Sequence, residues 1–270
     1  MIKLNNISID NNLPFVLIAG PCVIENEEIT ISSAERIIEI TDKLDIPFIF
    51  KSSFKKANRT SLNSFTGLKF EKAISILRKV KEKFNVPVLT DVHTTEDIEN
   101  VSSIVDILQI PAFLCRQTDL LLAAGKSNKV VNIKKGQFLA PEDMKHAAEK
   151  VKSTGNTNIL LTERGTTFGY HNLVVDMRSL VTMKELGFPV VMDATHSVQM
   201  PSNSSITGGE PKFIEPLAKA ASAIGIAALF LEVHPNPKEA LSDAGSQLHI
   251  DKLEMLLSIV KKIDKVIKGY

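Results

Sequence analysis

The sequence predicts an α/β fold, a (β/α)8 TIM barrel with a short N-terminal β-hairpin cap. Three observations support this prediction. The length of 270 residues suits one barrel, eight short apolar runs have the length of buried parallel strands, and amphipathic segments separate them. Eight alternations of strand and helix favour a closed barrel over an open doubly wound sheet. We therefore expect a single domain over residues 1–270.

The predicted elements alternate along the whole chain. The segment Ile2–Asp10 is expected to form the hairpin at the bottom of the barrel. The eight predicted strands are Phe15–Ala19, Pro47–Phe50, Pro87–Thr90, Ile104–Ile110, Lys129–Ile133, Asn158–Leu161, Pro189–Met192 and Ala227–Leu231. Six segments have clear helical spacing: Glu27–Leu44, Lys69–Phe84, Pro141–Lys152, Leu173–Leu186, Glu215–Gly225 and Asp251–Ile267. The helices after the third and fourth strands are shorter.

Composition and charge argue against several classes of protein. The formal net charge is +1, whereas a nucleic-acid-binding or membrane-surface protein needs a basic field. The longest strongly apolar run, Ile224–Val233, is too short to cross a bilayer, and the polar segment Met1–Asn12 lacks the pattern of a signal peptide. Two cysteines, Cys22 and Cys115, provide no disulfide framework. We therefore expect a cytoplasmic protein without nucleic-acid or membrane partners.

Polar side chains occur where each predicted strand ends. The carboxyl ends of barrel strands face the active site, so these side chains should converge on one mouth. The pattern indicates an enzyme but does not name its reaction. The side chains are Cys22, Lys51, Asp91, His93, Gln109, Lys134, Arg164, Asp193, His196, Glu232 and His234.

Six basic residues at or just after the strand ends indicate an anion site. In a chain that is otherwise near neutral, cations that converge on one cleft repel each other unless an anion binds there. The alternative is that most of them are solvated loop charges, as lysine and arginine usually are. The six are Lys51, Lys56, Arg59, Arg116, Lys134 and Arg164.

A second set of strand-end residues could hold a metal ion. Its members are Cys22, His196, Glu232 and Asp243. Thiolate, imidazole and carboxylate ligands together suit a divalent ion such as Zn, Fe or Mn. A small buried thiol and two ion-paired carboxylates would explain the same residues, and their chemistry alone leaves both alternatives open. For Cys115, beside Phe113 and Leu114, we expect a packing role.

The segment Pro201–Pro211 is rich in Ser, Asn, Gly and Pro and follows the seventh strand. Barrel enzymes often carry a mobile lid or a phosphate loop at this place. A flexible connector has the same composition.

Several runs resemble those of the 3-deoxy-D-manno-octulosonate 8-phosphate synthases, and they extend from the first strand to the loop after the eighth. Together they are very specific, and KANRTS (Lys56–Ser61), within the run FKSSFKKANRTS (Phe50–Ser61), is a strong marker by itself. The others include AGPCVIE (Ala19–Glu25), TDVH (Thr90–His93), LQIPAFLCRQTDLL (Leu108–Leu122), VNIKKGQFLAPEDM (Val131–Met144), TERGTTFGYHNLVVDMRSL (Thr162–Leu180), DATHSVQ (Asp193–Gln199) and LEVHPNPKEALSDAGSQL (Leu231–Leu248).

The resemblance implies a reaction and a set of site residues. Carbon 3 of phosphoenolpyruvate attacks the aldehyde of arabinose 5-phosphate, water adds at carbon 2, and phosphate leaves by C–O cleavage. Residues at Asn58, Arg59 and Thr60 match the segment that binds the sugar phosphate. Phosphoenolpyruvate-binding positions match Lys51, Ser53, Lys56, Gln109, Ala112, Lys134 and Arg164, with Gln137 and Gln199 as further substrate contacts. The expected catalytic residues are Lys56, Asp91, His93, His196 and Asp243.

The resemblance also implies a cofactor and an assembly. Members with cysteine after Gly-Pro require a metal, whereas those with asparagine do not. Cys22 and the run Ser242–Gln247 resemble the metal-requiring branch. We therefore expect a divalent ion on Cys22, His196, Glu232 and Asp243, and a homotetramer.

Three alternatives remain open. The sister enzyme that uses erythrose 4-phosphate carries Lys-Pro-Arg-Thr-Ser where this chain has KANRTS. A Schiff-base aldolase would use Lys51 or Lys134 as the nucleophile and needs a lysine with a lowered pKa. A non-catalytic phosphosugar-binding barrel would need no metal ligands.

Overall fold

The computed structural model describes residues 1–58, 64–200 and 208–270. Eight parallel strands form a closed barrel, because the last strand pairs with both the first and the seventh. This confirms the predicted fold class. The barrel strands are β1 Val16–Gly20, β2 Phe48–Lys51, β3 Val88–Asp91, β4 Ile107–Ile110, β5 Val130–Lys134, β6 Ile159–Glu163, β7 Val190–Asp193 and β8 Ala228–His234.

A helix follows each strand and covers the outside of the barrel. Asn26 caps the first of them by accepting a hydrogen bond from the Ile29 amide, and Thr94 with Asp97 forms a capping box at the third. None of the described helices is both long enough and apolar enough to cross a membrane. They are α1 Glu27–Leu44, α2 Phe70–Phe84, α3 Thr95–Val101, α4 Thr118–Lys126, α5 Met144–Lys152, α6 Arg178–Glu185, α7 Ile214–Ile224 and α8 Leu253–Lys268.

The strands divide the core into two layers because successive side chains point to opposite faces. In β1, Val16 and Ile18 point into the barrel, whereas Leu17 and Ala19 pack against the helices. In β5, Val131 and Ile133 face the helices, so the alternation places Asn132 and Lys134 on the inner side. This alternation leaves the last inward residue of a strand at the mouth of the barrel.

The N-terminal hairpin closes the bottom of the barrel, as predicted. Strands Ile2–Leu4 and Ile7–Ile9 pair antiparallel, and their buried isoleucines pack on the inner layer. Asn11 ties the hairpin to the wall, since its amide donates to the Phe188 carbonyl at 2.8 Å and accepts from the Val190 amide at 2.9 Å.

Several predicted boundaries are wrong, among them the start of the fourth strand and the start of the sixth helix. The predicted strand Ile104–Ile110 begins only at Ile107, because the amides of Ile104 and Val105 bond back to the Val101 carbonyl at the end of α3. The predicted helix Leu173–Leu186 begins only at Arg178. Its first residues, Leu173–Val174, instead pair with Thr166–Thr167 in a small hairpin above the barrel.

Candidate active site

The polar strand-end residues do meet at one mouth. Lys51, Asp91, Lys134 and Asp193 are the last residues of their strands, and Glu232 lies within β8. All five side chains are buried, with exposed fractions of 7% or less. Buried charges are costly unless they are paired or bind a ligand. The charged side chains at the mouth therefore form a buried site, and the alternative of solvated loop charges does not apply to these five residues.

Glu232 lies at the centre of the charged groups. Its Oε1 atom accepts a hydrogen bond from Lys51 at 2.7 Å, and lies 3.5 Å from His196 Nε2 and 3.7 Å from Lys56 Nζ. Burial raises the pKa of Glu232, but the charges of His196, Lys51 and Lys56 outweigh burial and hold the pKa well below its usual range. Glu232 is therefore ionised at neutral pH.

Asp91 is a second buried carboxylate at the mouth. Ser53 donates to its carboxylate at 2.8 Å, and Lys51 Nζ and His93 Nε2 each lie 3.9 Å away. Burial raises the pKa of Asp91, yet Lys51, Lys56 and His93 lower it to about 2. Asp91 is thus an ionised acceptor that holds Ser53 in place.

Lys134 crosses the mouth to Asp193. The ammonium pairs with Asp193 Oδ2 and lies 3.6 Å from the centre of the Phe230 ring. His196 Nδ1 lies 2.7 Å from the same carboxylate oxygen. Burial lowers the pKa of Lys134 to about 8, although Asp193 raises it. This lysine is the most easily deprotonated of the buried cations at the mouth whose pKa shift is resolved.

Arg164 follows β6 and carries an unused donor. One nitrogen of its guanidinium, Nη2, donates to Gln199 Oε1 at 2.8 Å. A second nitrogen, Nη1, is buried and has no hydrogen-bond partner within the described part of the chain. A buried donor without an acceptor is costly, and a carboxylate or phosphate oxygen would satisfy it.

Three of the four predicted metal ligands come together. The ligand atoms of Cys22, Glu232 and Asp243 lie within 4.8 Å of one another, and Cys22 Sγ is 3.2 Å from Asp243 Oδ2. Glu232 Oε2 is buried without a hydrogen-bond partner among the described residues. Burial, then Asp243 and Glu232, raise the pKa of the Cys22 thiol well above its usual range. A thiol and two carboxylates crowded in this way fit a divalent ion.

His196, the fourth predicted ligand, lies at the edge of this group. Its Nε2 atom is 3.5 Å from Glu232 Oε1. The cluster in which all ligand atoms lie within 4.8 Å of one another contains only the other three residues, within the described ranges. The role of His196 as a ligand stays a prediction.

The other predicted substrate residues differ in their surroundings. Gln109 accepts a hydrogen bond from Asn132 Nδ2 at 3.0 Å, so its own amide donors remain for the mouth. Ala112 begins a short 3-10 turn after β4, and Gln137 lies buried in the loop after β5. Asn58 is exposed and is the last described residue before residue 64.

Several predictions concern residues that are either outside the described ranges or away from the mouth. Arg59 and Thr60 lie outside the described residues, as does the part of the predicted lid at 201–207. Arg116, one of the six predicted cations, is exposed on the loop after β4. Cys115 is fully buried in the outer layer, as predicted.

Sequence reasoning missed the side chains that hold the loop after β8. Glu25 accepts the Leu241 amide at 2.8 Å, and Gln247 donates to the Ser242 carbonyl at 2.8 Å. Ser242 Oγ then lies 3.0 Å from Cys22 Sγ. These contacts bring Asp243 to Cys22. No pattern in the sequence indicates these contacts, because pairing between distant loops leaves no periodic pattern.

Comparisons with known proteins give the family. The model of the DAHP synthetase I family matches residues 1–269. Proteins named 2-dehydro-3-deoxyphosphooctonate aldolase from Rickettsia canadensis (strain McKiel) and Rickettsia typhi (strain ATCC VR-144 / Wilmington) are 55% and 56% identical to this chain. Each match covers 99% of this chain and 98% of the relative. The chain therefore belongs to the DAHP synthetase I family, within its group of 2-dehydro-3-deoxyphosphooctonate aldolases.

Proposed function

We propose that this chain is a transferase that condenses phosphoenolpyruvate with D-arabinose 5-phosphate. The products are 3-deoxy-D-manno-octulosonate 8-phosphate and inorganic phosphate, and the reaction supplies lipopolysaccharide precursors. The observation that carries the proposal is the buried guanidinium of Arg164 at the mouth, whose Nη1 has no acceptor among the described residues. The relatives that are more than half identical over nearly the whole chain are named for this aldolase.

Phosphoenolpyruvate would bind on the side of Lys134 and Arg164. It carries a carboxylate and a phosphate, and the guanidinium fork suits either group. Lys51 and Lys134 already face Glu232 and Asp193, so the mouth is nearly balanced in charge. Arg164 Nη1 is therefore the donor that remains available for the carboxylate or phosphate of phosphoenolpyruvate.

Arabinose 5-phosphate would bind between Asp91 and the loop at 56–61. We assign its phosphate to Arg59 and Thr60 and one of its hydroxyl groups to Asn58, on the strength of the KANRTS run. Asp91 and His93 would line the space between the two substrates. His93 is held there because its amide donates to Asp97 at 2.8 Å.

The buried charges suggest roles for two residues in the reaction. Burial lowers the pKa of Lys56, but the acidic groups Cys22, Glu232 and Asp91 raise it well above its usual range. Lys56 therefore stays protonated and can stabilise the negative charge that develops on the aldehyde oxygen. Asp91, with a pKa of about 2, is a weak base, so we assign it the orientation of the attacking water.

We infer a divalent ion, Zn, Fe or Mn, on Cys22, Glu232 and Asp243, with His196 as the fourth ligand. When bound, such an ion can polarise a carbonyl group, orient the sugar or activate water. Lys51 shares Glu232 with this site, since its ammonium lies 2.7 Å from Oε1. Loss of that contact would leave Lys51 free for a substrate anion.

The pKa of Lys134 favours one alternative, a Schiff-base aldolase, because a lowered lysine pKa is what such a nucleophile needs. Against it, Asp193 holds the proton on Lys134. We expect borohydride with pyruvate, whose ketone could form an imine with a lysine, to trap no adduct, as judged by intact-protein mass spectrometry. A reduced adduct on Lys134 would support the aldolase.

Asn58→Ala should lower kcat/KM for arabinose 5-phosphate about tenfold, because one hydrogen bond to a hydroxyl group of the sugar is lost. The KM for phosphoenolpyruvate should stay unchanged. Asn63→Ala, just beyond the KANRTS run in the sequence, is the matched control. If Asn58→Ala turns over arabinose 5-phosphate like the wild type, Asn58 only shapes the loop.

A single-turnover assay of phosphate release tests the proposed function. Phosphoenolpyruvate alone should release no phosphate, and addition of arabinose 5-phosphate should release one equivalent per active site. Binding of both substrates without phosphate release would favour the non-catalytic barrel. The single domain, the homotetramer and the cytoplasmic location stay predictions.

A further inference from the structure

Lys135 and Glu163 form a buried ion pair that the proposed reaction does not use. The exposed fractions of the two residues are 0% and 1%, and Lys135 Nζ lies 3.6 Å from Glu163 Oε1. Both lie next to residues of the site, since Lys135 follows Lys134 and Glu163 precedes Arg164. Successive side chains point to opposite faces of a strand, so the pair lies behind the barrel wall.

The ammonium of Lys135 donates hydrogen bonds to the loop after β5. It donates to the Leu139 carbonyl at 3.3 Å and to the Gly136 carbonyl at 3.4 Å. It also donates to Thr166 Oγ1 at 2.9 Å, which belongs to the loop after β6. One side chain thus joins the two loops that follow Lys134 and Arg164.

Glu163 accepts hydrogen bonds from the loop after β6 and from α6. Its Oε1 atom accepts the Arg164 amide at 3.0 Å and the Gly165 amide at 2.7 Å. Its Oε2 atom accepts the hydroxyl of Ser179 on α6. The direction of the backbone at Arg164, and so the origin of its guanidinium, depends on these contacts.

We infer that Lys135 and Glu163 are positioning residues, which fix Lys134 and Arg164 for the phosphoenolpyruvate anion. A buried ion pair costs desolvation, and an apolar pair of similar volume often gives equal stability. Stability alone therefore does not account for the pair, whereas a shift of about 1 Å in a binding group can lower activity about a hundredfold. The inference rests on the proposed function, which assigns Lys134 and Arg164 to phosphoenolpyruvate.

Steady-state kinetics of Lys135→Met test this inference in the full-length protein. We expect the KM for phosphoenolpyruvate to rise at least about tenfold, while the KM for arabinose 5-phosphate stays within about threefold. Lys81→Met is the matched control. Lys81 pairs with Asp106 at 2.7 Å beside the start of β4, at the opposite end of the barrel. The Lys81→Met substitution should lower the melting temperature and leave both KM values unchanged.

The double variant Lys135→Met/Glu163→Gln separates positioning from stability. The introduced glutamine side chain retains an acceptor for the two amides and leaves no unpaired charge, so the melting temperature should return toward that of the wild type. The KM for phosphoenolpyruvate should remain raised. A wild-type KM in the double variant, or in a folded Lys135→Met, would overturn the inference. A wild type that does not turn over the two substrates would instead overturn the proposed function.

Discussion

Chelation of divalent ions is expected to abolish turnover, and addition of Zn, Fe or Mn should restore it. The physical reason is the crowding of Cys22, Glu232 and Asp243 in a buried site, where a bound cation offsets the repulsion between the acidic groups. Purified protein should contain about one such ion per chain. Cys22→Ala should lower the metal affinity about tenfold or more, because the soft ligand is lost.

Cys115→Ala is the matched control, since Cys115 is also a buried thiol but packs in the outer layer. Elemental analysis together with the phosphate-release assay gives both readouts. Full activity in protein with no detectable divalent ion would contradict the metal site. Equal metal affinities of Cys22→Ala and the wild type would remove Cys22 from the ligand set.

Arg164→Ala is expected to lower kcat/KM for phosphoenolpyruvate roughly a hundredfold, about 3 kcal/mol of transition-state stabilisation. The variant removes the only guanidinium that is buried at the mouth among the described residues, together with its 2.8 Å bond to Gln199. Arg164→Lys should recover little, because a single ammonium cannot reproduce the planar fork that reaches Gln199 and an anion together.

Arg178→Ala provides the control for Arg164→Ala. Arg178 begins α6 and its side chain is 89% exposed, paired only with the nearby Asp176 in the described structure. Its loss should leave both KM values within about twofold, since exposed pairs contribute little. If Arg164→Ala retains kcat/KM within about threefold of the wild type, phosphoenolpyruvate does not bind at Arg164.

The sequence predicted the barrel because its periodicity is local. Polar residues such as Lys51 and Asp193 were predicted just beyond their strands, yet they are the last residues of those strands. A polar side chain at the mouth does not prevent its backbone from pairing with the neighbouring strand. The predicted helix from Leu173 was wrong because the pairing of Leu173–Val174 with Thr166–Thr167 overrides helical spacing.

The site was predicted less completely than the fold. Lys134, Glu232 and their neighbours could be predicted from their position at strand ends, because the topology of a barrel brings these positions together. Contacts between distant loops, such as Glu25 with Leu241, depend on folded geometry that no local pattern encodes. No pattern in the sequence singled out Lys135, since nothing in a Lys-Lys pair indicates which side chain is buried on the outer side of the barrel.

The choice between two sugar phosphates is the sharpest test of the proposed condensation with arabinose 5-phosphate. Phosphate release from phosphoenolpyruvate can be measured with arabinose 5-phosphate and with erythrose 4-phosphate as competing acceptors. We expect kcat/KM for arabinose 5-phosphate to be larger by about a hundredfold or more, because a site built around a hydroxyl group rejects a substrate that lacks it. Equal values, or a preference for erythrose 4-phosphate, would contradict the proposed condensation.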